Sequence, residues 1–362
     1  MHQTRPWVTA GVALVGAGVL AATPVAPIAA PLPAPVLPGI QLTAVDMVLD
    51  LVRHGQSEDN VSGIIGTTPP GAPLTDLGWE QAAALADPDN PQHLQDPDFY
   101  NGIYASGFIR PQETAEGWLT AAGAPDTPVT VLPGLNEVNA GILEGTNQSD
   151  QMTALMYLVA PLAWMFGQYW VPQLGSTIDP NGMAFQDRFG GAVDQIYANG
   201  GDVGEDGDLH NVAFAHALSI ATWVMMNVKN PDFGLFFSSL TAGILPNTGQ
   251  VVIEGNPTDG WTLVSWNGEE VSETPSLLSG LIVDFRDLIT APQMAGWHIM
   301  TALQGGDLDE IGAALQAGFT DVFNAIAAFP QAVIDTITGS MGDLAGGDAG
   351  DAMGDLLAIL AG

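Results

Sequence analysis

Residues 48–60 read Val-Leu-Asp-Leu-Val-Arg-His-Gly-Gln-Ser-Glu-Asp-Asn, and this stretch decides how the rest of the chain is interpreted. A run rich in Leu and Val stops at Arg53, His54 and Gly55, and short polar residues follow. An apolar run of this length that ends at a glycine is typical of a buried β-strand. Open α/β sheets bind their ligands beyond the carboxyl ends of their strands. The stretch therefore predicts an α/β protein whose functional site begins at His54.

The polar residues after this strand suit phosphoryl chemistry. A neutral imidazole such as that of His54 can attack phosphorus through one ring nitrogen while the other donates its proton to a fixed acceptor. The guanidinium of Arg53 can hold phosphate oxygens in a bidentate fork. Ser57 and Asn60 are short hydrogen-bonding residues, and we expect them to open a helix whose N-terminus favours negative charge. The alternative for an isolated Arg-His pair is a surface or core histidine, and the strand context favours the phosphate site.

Residues 53–60 resemble the opening signature of the histidine phosphatase superfamily, the phosphoglycerate mutase-like proteins. That signature is Arg-His-Gly-x-Ser-x-x-Asn, and the chain matches it at every fixed position. The resemblance implies an α/β fold, a three-layer α/β/α sandwich. It also implies that His54 is the nucleophile that becomes phosphorylated, and that no metal or other cofactor is required.

A second arginine follows the next predicted strand, residues 101–106. The segment from Ser106 to Ala115 resembles the family's Ser-x-x-x-Arg-x-x-Gln-Thr-Ala motif, with Glu113 where the family usually has Gln. The resemblance assigns Arg110 as the second phosphate-binding arginine. The alternative is an exposed helix arginine, which is the weaker interpretation in a chain with so few cations.

The segment 135–145, Leu-Asn-Glu-Val-Asn-Ala-Gly-Ile-Leu-Glu-Gly, follows a predicted strand at 129–132. It resembles the family's Leu-x-Glu-x-x-x-Gly-x-x-Glu-Gly, in which the first carboxyl protonates the leaving oxygen, so Glu137 is the predicted acid. A carboxyl among low-dielectric walls and near a phosphate dianion has its pKa raised towards working pH. We expect Glu144 to order the loop. Solvated loop acids are the alternative for both glutamates.

The predicted strand 210–217 ends in His216, at the place of the family's second catalytic histidine. The family usually has glycine next, and this chain has Ala217. By resemblance His216 would add a donor or positive charge to the phosphoryl group in transfer. A core histidine at a strand end is the alternative. Residues 74–82 resemble the family's Leu-Thr/Ser-x-x-Gly-x-x-Gln-Ala step, whose role is mostly packing, and we predict no site residue there.

Residues 149–172 form an insertion that is too apolar for a solvated connection and must pack on something. In the family, insertions after the acid segment often cover the active site, which would give an apolar lid and suit a small phosphorylated substrate with a hydrophobic leaving group. The alternative is an ordinary core helix.

The composition is strongly acidic, with 6 Lys and Arg against 40 Asp and Glu and a formal net charge of −34. Such a surface repels nucleic acid, so we expect no nucleic-acid partner. A phosphate site must concentrate positive charge from the few cations, which are Arg5, Arg53, Arg110, Arg188, Lys229 and Arg286. The chain has no cysteine, which excludes disulfides and thiolate metal sites.

Four regions follow from composition and patterning. Residues 1–30 are predicted to be a signal peptide, because an apolar run follows a short basic start, and an uncleaved anchor is the alternative. Residues 31–44 are a Pro/Ala-rich linker, and residues 45–275 are the histidine phosphatase domain. Residues 276–362 are a helical C-terminal extension rich in Gly, Ala and Asp near its end, with helices predicted at 277–303, 308–329 and 332–337. The extension would dock on the domain, dimerise it or contact a cell-envelope partner.

The sequence thus predicts a phosphomonoesterase, secreted or in the cell envelope, that works through a phosphohistidine. His54, Glu137 and His216 are the predicted catalytic residues, and Arg53, Arg110, Ser57 and Asn60 the predicted phosphate ligands. The nearest alternative is a sugar-phosphate mutase, which would need further cations for a second anionic group. A non-catalytic envelope or interaction module on the same fold is an alternative of another class.

Overall fold

The computed structural model describes residues 44–240 and 243–346, with side chains up to residue 340. The predicted signal peptide, nearly all of the predicted linker and the end of the chain lie outside these residues. The strands are β1 (Met47–Arg53), β2 (Gly102–Ala105), β3 (Thr130–Val131), β4 (Leu209–Ala215), β5 (Gln250–Asn256), β6 (Gly260–Trp266) and β7 (Glu269–Glu270). The helices are α1 (Glu58–Ser62), α2 (Asp76–Ala84), α3 (Ile109–Ala121), α4 (Gln151–Met165), α5 (Gly182–Asn199), α6 (Ala217–Asn227), α7 (Phe233–Leu240), α8 (Leu277–Gly305) and α9 (Leu308–Gly346).

The seven strands form one mixed sheet in the order β3-β2-β4-β1-β5-β6-β7. The first four of these strands run parallel, and β5, β6 and β7 continue the sheet in antiparallel pairs. Arg53 at the end of β1 pairs with Ala215 at the end of β4. Because the carboxyl ends of parallel strands meet at one edge, the residues that follow these two strands lie side by side.

Helices cover both faces of the sheet. Alternate residues of a strand point to opposite faces, and β1 sends Leu49 and Leu51 into one apolar cluster and Val52 into the other. The first cluster includes residues of α4, α5 and α6, and the second includes residues of α3 together with Leu85, which directly follows α2. The predicted three-layer α/β/α architecture is confirmed.

The insertion forms α4, which begins at the N-cap Asp150. Its C-terminal half is core, with Trp164 and Met165 fully buried. Its N-terminal half is apolar on two sides, because Met152 and Leu155 are exposed whereas Ala154 and Leu158 line the cavity in front of His54. The core-helix alternative therefore describes the C-terminal half, and a lid formed by the N-terminal half stays a prediction.

The C-terminal extension is helical, as predicted, but it contains two long helices within the described residues. The predicted break between 329 and 332 is wrong, since Pro330 lies inside α9. Packing along α8 explains the continuity, because Phe329 contacts Phe285 with ring centroids 5.1 Å apart. Such tertiary contacts offset the cost of a proline inside a helix. The part of α9 from Leu308 to Ser340 is also long and apolar enough to cross a membrane by length and composition alone.

The extension docks on the domain through α8. Arg286 is buried and donates hydrogen bonds to the carbonyl oxygens of Met225 and Val228, at distances of 3.0 and 3.1 Å. These carbonyls lie at the C-terminal end of α6, where a helix leaves its last oxygens without internal partners. The Arg286 side chain thus caps a core helix and joins the extension to it.

Candidate active site

His54 follows β1 directly and is almost completely buried. Its Nδ1 lies 2.6 Å from the carbonyl oxygen of Gly55. A carbonyl oxygen only accepts, so Nδ1 carries the proton and Nε2 keeps its lone pair. Burial, followed by the charges of Arg110 and Arg53, holds the pKa of His54 well below its ordinary value. The structure therefore presents a neutral imidazole whose Nε2 carries a lone pair.

Arg110 lies in the first turn of α3, just beyond the end of β2. Its Nε donates to Nε2 of His54 at 3.0 Å, and its Nη2 donates to the carbonyl oxygen of Gly66 at 3.0 Å. The Arg110 Nη1 is 3.7 Å from a carboxylate oxygen of Asp59 and has no hydrogen-bond acceptor among the described residues. This guanidinium is directed at His54, as a phosphate ligand beside it would be.

Arg53 is the last residue of β1 and directly precedes His54. Its Nη1 donates to the carbonyl oxygen of Leu245. Its Nε is buried and finds no acceptor in residues 44–240 or 243–346. Burial lowers the pKa of Arg53 to about 10, with Glu137 raising it and Arg110 lowering it, so the side chain is charged at neutral pH. Two guanidinium groups therefore keep unpaired donors beside the same imidazole.

His216 directly follows β4 and is fully buried. Its ring centroid lies 5.2 Å from that of His54, and its Nε2 is 2.9 Å from Oγ of Ser106. Burial and the charge of Arg110 hold the pKa of His216 well below its ordinary value. His216 is adjacent to His54 but does not line the cavity in front of it. In this arrangement His216 is a neutral neighbour, and the catalytic role predicted for it stays a prediction.

Glu137 lies just after the 3₁₀ turn Pro133–Leu135 and reaches the same cavity. Its Oε1 accepts from the amide of Val138 at 3.0 Å and from the amide of Ser219, in the first turn of α6, at 2.8 Å. Burial raises the pKa of Glu137, although these amides and the two guanidinium groups act in the opposite direction. Burial is the largest of these effects, so the net shift favours the protonated form of Glu137.

Arg188 of α5 positions the loop that carries Glu137, a function that the sequence did not indicate. Its Nη1 donates to the carbonyl oxygens of Gly134 and Asn136 at 2.7 and 2.9 Å. Its Nε and Nη2 bind the buried carboxylate of Asp179 at 2.8 and 2.9 Å. The only signal in the sequence was that Arg188 is one of six cations.

Ser57 and Asn60 open α1 as predicted, through a capping box. The amide of Asn60 donates to Oγ of Ser57 at 3.3 Å, and the amide of Ser57 donates to Oδ1 of Asn60 at 3.1 Å. Both residues line the cavity. Their oxygens thus serve the helix cap, which fixes the loop after His54, and direct phosphate binding by either side chain stays a prediction.

The loop 55–57 is clamped by α2 and α3. An added Cβ on Gly55 would lie 2.6 Å from the Gly78 carbonyl oxygen, so the two backbones are in close contact. The amide of Gln56 donates to Oε1 of Gln81 at 2.8 Å, and the amide of Gly55 donates to Oγ1 of Thr114 at 3.0 Å. Residues 74–82 therefore position the nucleophile, which is more than the packing role that the sequence predicted.

Glu144 and Glu113 also have structural roles. Both oxygens of Glu144 accept from the amide of Thr67, at 2.9 and 3.0 Å, which places Thr67 at the cavity wall. Glu113 accepts from the amide of Leu74 at 2.7 Å. The position of Glu144 agrees with its predicted loop-ordering role.

The cavity in front of His54 has a volume of about 330 Å³, which is within the usual range of small-molecule sites. Arg53, His54, Arg110 and Glu137 line it, so three segments distant in sequence converge there. In residues 44–240 and 243–346, no three His, Asp or Glu side chains cluster in a way that could hold a metal ion. Chemically, the site combines a neutral nucleophile, two cations with free donors and a carboxyl whose pKa is raised.

The fold and this site define an α/β protein built around a buried histidine and two arginines. The model of the histidine phosphatase superfamily (branch 1) matches residues 49–268. The chain belongs to that superfamily.

Individual relatives share parts of the chain. PE-PGRS family protein PE_PGRS11 of Mycobacterium tuberculosis is 44% identical over 303 residues, which cover 82% of this chain and 49% of that protein. A 2,3-bisphosphoglycerate-dependent phosphoglycerate mutase of Methylocella silvestris is 36% identical over 107 residues, or 29% of this chain and 48% of the mutase. The chain therefore spans about half the length of these curated relatives. The solved mycobacterial glucosyl-3-phosphoglycerate phosphatase is 25% identical, with a TM-score of 0.45, and the match covers 61% of this chain and 99% of the phosphatase.

Proposed function

We propose that the protein is an exported phosphomonoesterase that hydrolyses its substrate through a phosphohistidine at His54. The observation that carries this proposal is the set of polar groups that meet at the cavity. His54 Nε2 has its lone pair, and the guanidinium groups of Arg53 and Arg110 each keep a buried nitrogen without an acceptor among the described residues. A phosphoryl group supplies both an electrophile and the missing acceptors. Export is supported by the basic start and apolar run of residues 1–22.

In the first step, Nε2 of His54 attacks phosphorus, and the bond from phosphorus to the ester oxygen breaks. Glu137 gives its proton to that oxygen, so the product leaves as a neutral alcohol. Arg110 must transfer its Nε hydrogen bond from His54 to a phosphoryl oxygen for the lone pair to become available. Both arginines then stabilise charge on the equatorial oxygens as the transition state forms.

In the second step, water attacks the phosphohistidine. The Glu137 carboxylate accepts a proton from that water, the bond from phosphorus to nitrogen breaks, and inorganic phosphate leaves. His54 is neutral again and Glu137 is protonated, so the cycle closes. The depressed pKa of His54 keeps Nε2 free of a competing proton.

Hydrolysis is favoured over the mutase alternative by the charges at the cavity. A mutase must hold a second anionic group, and in the described part of the chain Arg53 and Arg110 are the only Lys or Arg that line the cavity. Asp59 adds a carboxylate there. The charge pattern suits one phosphoryl group.

The test uses the full chain and p-nitrophenyl phosphate, with and without a chelator. Wild-type protein should release nitrophenol in the presence of the chelator, and His54→Ala should lose at least 10³-fold, which is on the order expected for removal of a nucleophile. His298→Ala is the matched control, because His298 is half-exposed on α8 and bonds to Asp187. An acid-labile phosphoryl label should be trapped on wild type and not on His54→Ala.

Two results would overturn the proposal. Equal rates for wild type and His54→Ala would favour the non-catalytic module. Formation of 2-phosphoglycerate from 3-phosphoglycerate, faster than phosphate release, would favour the mutase.

A further inference from the structure

The cavity in front of His54 is lined by two chemically different sets of side chains. Arg53, His54, Arg110 and Glu137 supply the groups of the proposed reaction. Aliphatic and aromatic side chains, among them Ile64, Tyr157, Leu158, Leu218 and Ile244, form the apolar part of the lining, and Ser57, Asp59, Asn60, Thr67 and Gln148 form its remaining polar part. A phosphate monoester placed with its phosphorus at His54 therefore has apolar surface available for its alcohol part.

The apolar part of the lining has no cationic side chain that could bind an anionic group on the alcohol part of the substrate. The remaining cations of the described chain are committed elsewhere or do not line the cavity: Arg188 binds Asp179, and Arg286 binds the carbonyl oxygens at the end of α6. The Asp59 carboxylate lies 3.7 Å from Arg110 and faces the same space. A carboxylate or second phosphate on the substrate would meet this charge in a molecule of net charge −34.

The α4 helix contributes one apolar face to the lining of the cavity. Ala154, Tyr157 and Leu158 are spaced at i, i+3 and i+4, so they share one face of the helix and all line the cavity. The Tyr157 hydroxyl is committed to the carbonyl oxygen of Val138 at 2.6 Å, and it therefore presents its ring rather than a free hydroxyl. This side of α4 has no charged side chain to order a polar substrate.

We propose that the substrate class is the phosphate monoester of a hydrophobic alcohol, whose hydrocarbon part packs against α4. This inference rests on the proposed phosphomonoesterase function and adds the identity of the leaving group to it. Leu158 determines specificity through contact with the hydrocarbon, and Asp59 disfavours substrates with a second anionic group.

The primary test is a series of straight-chain alkyl phosphates, from ethyl to octyl, each below its micelle-forming concentration. Burial of one methylene contributes about 0.8 kcal/mol, which corresponds to roughly fourfold in kcat/KM, and a partly open wall gives less. We expect kcat/KM to rise about two- to fourfold per added methylene over the first carbons. Phosphoserine and 3-phosphoglycerate should be poorer substrates than butyl phosphate.

Two adjacent residues of α4 give a matched pair of variants. Leu158→Gln should flatten the dependence on chain length, because a polar amide replaces the contact with the hydrocarbon. Val159→Gln is the control, since Val159 is exposed and does not line this cavity, and it should keep the wild-type slope. Thermal melting of both variants separates a change in specificity from a loss of folding.

The outcomes separate this inference from the function on which it rests. A flat or falling chain-length series in wild type, with p-nitrophenyl phosphate still hydrolysed, overturns the hydrophobic substrate and leaves the phosphomonoesterase standing. No hydrolysis of any ester overturns both. A further arm with phosphatidic acid in phosphatidylcholine vesicles distinguishes a bilayer from free amphiphiles as the source of the substrate, and hydrolysis in either arm supports the class.

Discussion

The Nε of Arg110 lies 3.0 Å from Nε2 of His54, so a guanidinium donates to the nitrogen that would attack phosphorus. This contact explains two properties at once. It holds the imidazole in the tautomer with the proton on Nδ1, and, together with burial, it makes a second proton on the ring unfavourable. In the resting site the Arg110 guanidinium therefore bonds to Nε2 of His54, and the same guanidinium should later bind the phosphoryl group of the substrate.

The first prediction concerns pH. The pKa of His54 is depressed, so kcat/KM should not fall through protonation of His54 as the pH is lowered through about 6.5, the ordinary histidine value. Glu137 must be protonated to act as the acid. Burial raises the pKa of Glu137, so the enzyme should stay active to a higher pH than it would with an exposed glutamate. For an alkyl phosphate, kcat/KM should fall about tenfold per pH unit above the pKa of Glu137.

Glu137→Gln provides the control for this assignment. It should abolish the alkaline decline and lower kcat/KM for butyl phosphate by roughly 10²- to 10⁴-fold. The loss should be much smaller for p-nitrophenyl phosphate, whose leaving group departs without a proton. If Glu137→Gln kept the alkaline decline, a group other than Glu137 would be responsible for the fall in kcat/KM at high pH.

The second prediction tests the geometry of Arg110. Arg110→Lys keeps the charge but loses the planar fork, and hydrogen bonds to charged groups contribute about 1.5–3 kcal/mol each. The inhibition constant of vanadate should therefore rise by roughly 10- to 100-fold. Lys229→Gln removes a cation that does not line the cavity and should leave vanadate inhibition close to wild type. Equal inhibition of Arg110→Lys and wild type would mean that the fork does not hold the phosphoryl group.

The third prediction concerns the clamp on the loop after His54. An added Cβ on Gly78 would lie 2.1 Å from the carbonyl oxygen of Gln56, which is backbone and cannot move aside alone. Gly78→Ala should lower the free energy of unfolding by about 1–3 kcal/mol, as overpacking does elsewhere. It should also reduce kcat at least tenfold, because the nucleophile shifts with its loop. Urea denaturation and steady-state kinetics measure the two effects.

Gly191→Ala is the matched control for the clamp. Gly191 lies inside α5, and an added Cβ there meets nothing within 4 Å. Alanine in an open helical position stabilises by up to about 1 kcal/mol relative to glycine. If both alanine variants behaved alike, close contact between Gly78 and Gln56 would not be what holds the loop.

Sequence motifs identified the groups that converge on the cavity, because Arg53, His54, Arg110 and Glu137 each stand at a fixed offset within a motif. The roles of Gly78 and Arg188 could not be read in the same way. Each acts through contacts with a segment more than twenty residues away, and those contacts depend on how α2 and α5 pack on the sheet. The division of α4 into a cavity-lining half and a core half depends likewise on its neighbours. The helix break predicted at Pro330 is wrong because packing on α8 overrides local propensity.

The fourth prediction concerns Asp59 and discrimination against a second anion. Asp59→Asn removes the carboxylate that lies 3.7 Å from Arg110 at the cavity wall. Partly exposed charge pairs contribute about 0.5–1 kcal/mol, so the ratio of kcat/KM for 3-phosphoglycerate to that for butyl phosphate should rise roughly two- to fivefold. Glu58→Gln, at the neighbouring exposed acid outside the cavity, should leave this ratio unchanged. A ratio that stays the same in Asp59→Asn would remove Asp59 from the account of specificity.

The fifth prediction concerns the joint between the extension and the domain. Arg286→Met keeps an apolar stem of similar length but leaves the carbonyl oxygens of Met225 and Val228 without this donor. Buried acceptors left unpaired cost about 1–3 kcal/mol each, so the free energy of unfolding should fall by roughly 2–4 kcal/mol.

Asp287→Asn changes the exposed partner of the same guanidinium and should cost less than about 0.5 kcal/mol, as surface ion pairs do. The α6 helix begins beside His216 and supplies the amide of Ser219 to Glu137, so loosening its far end should also lower the affinity for vanadate. Equal melting temperatures for Arg286→Met and wild type would mean that α8 docks through its apolar contacts, with the buried arginine contributing no net stability.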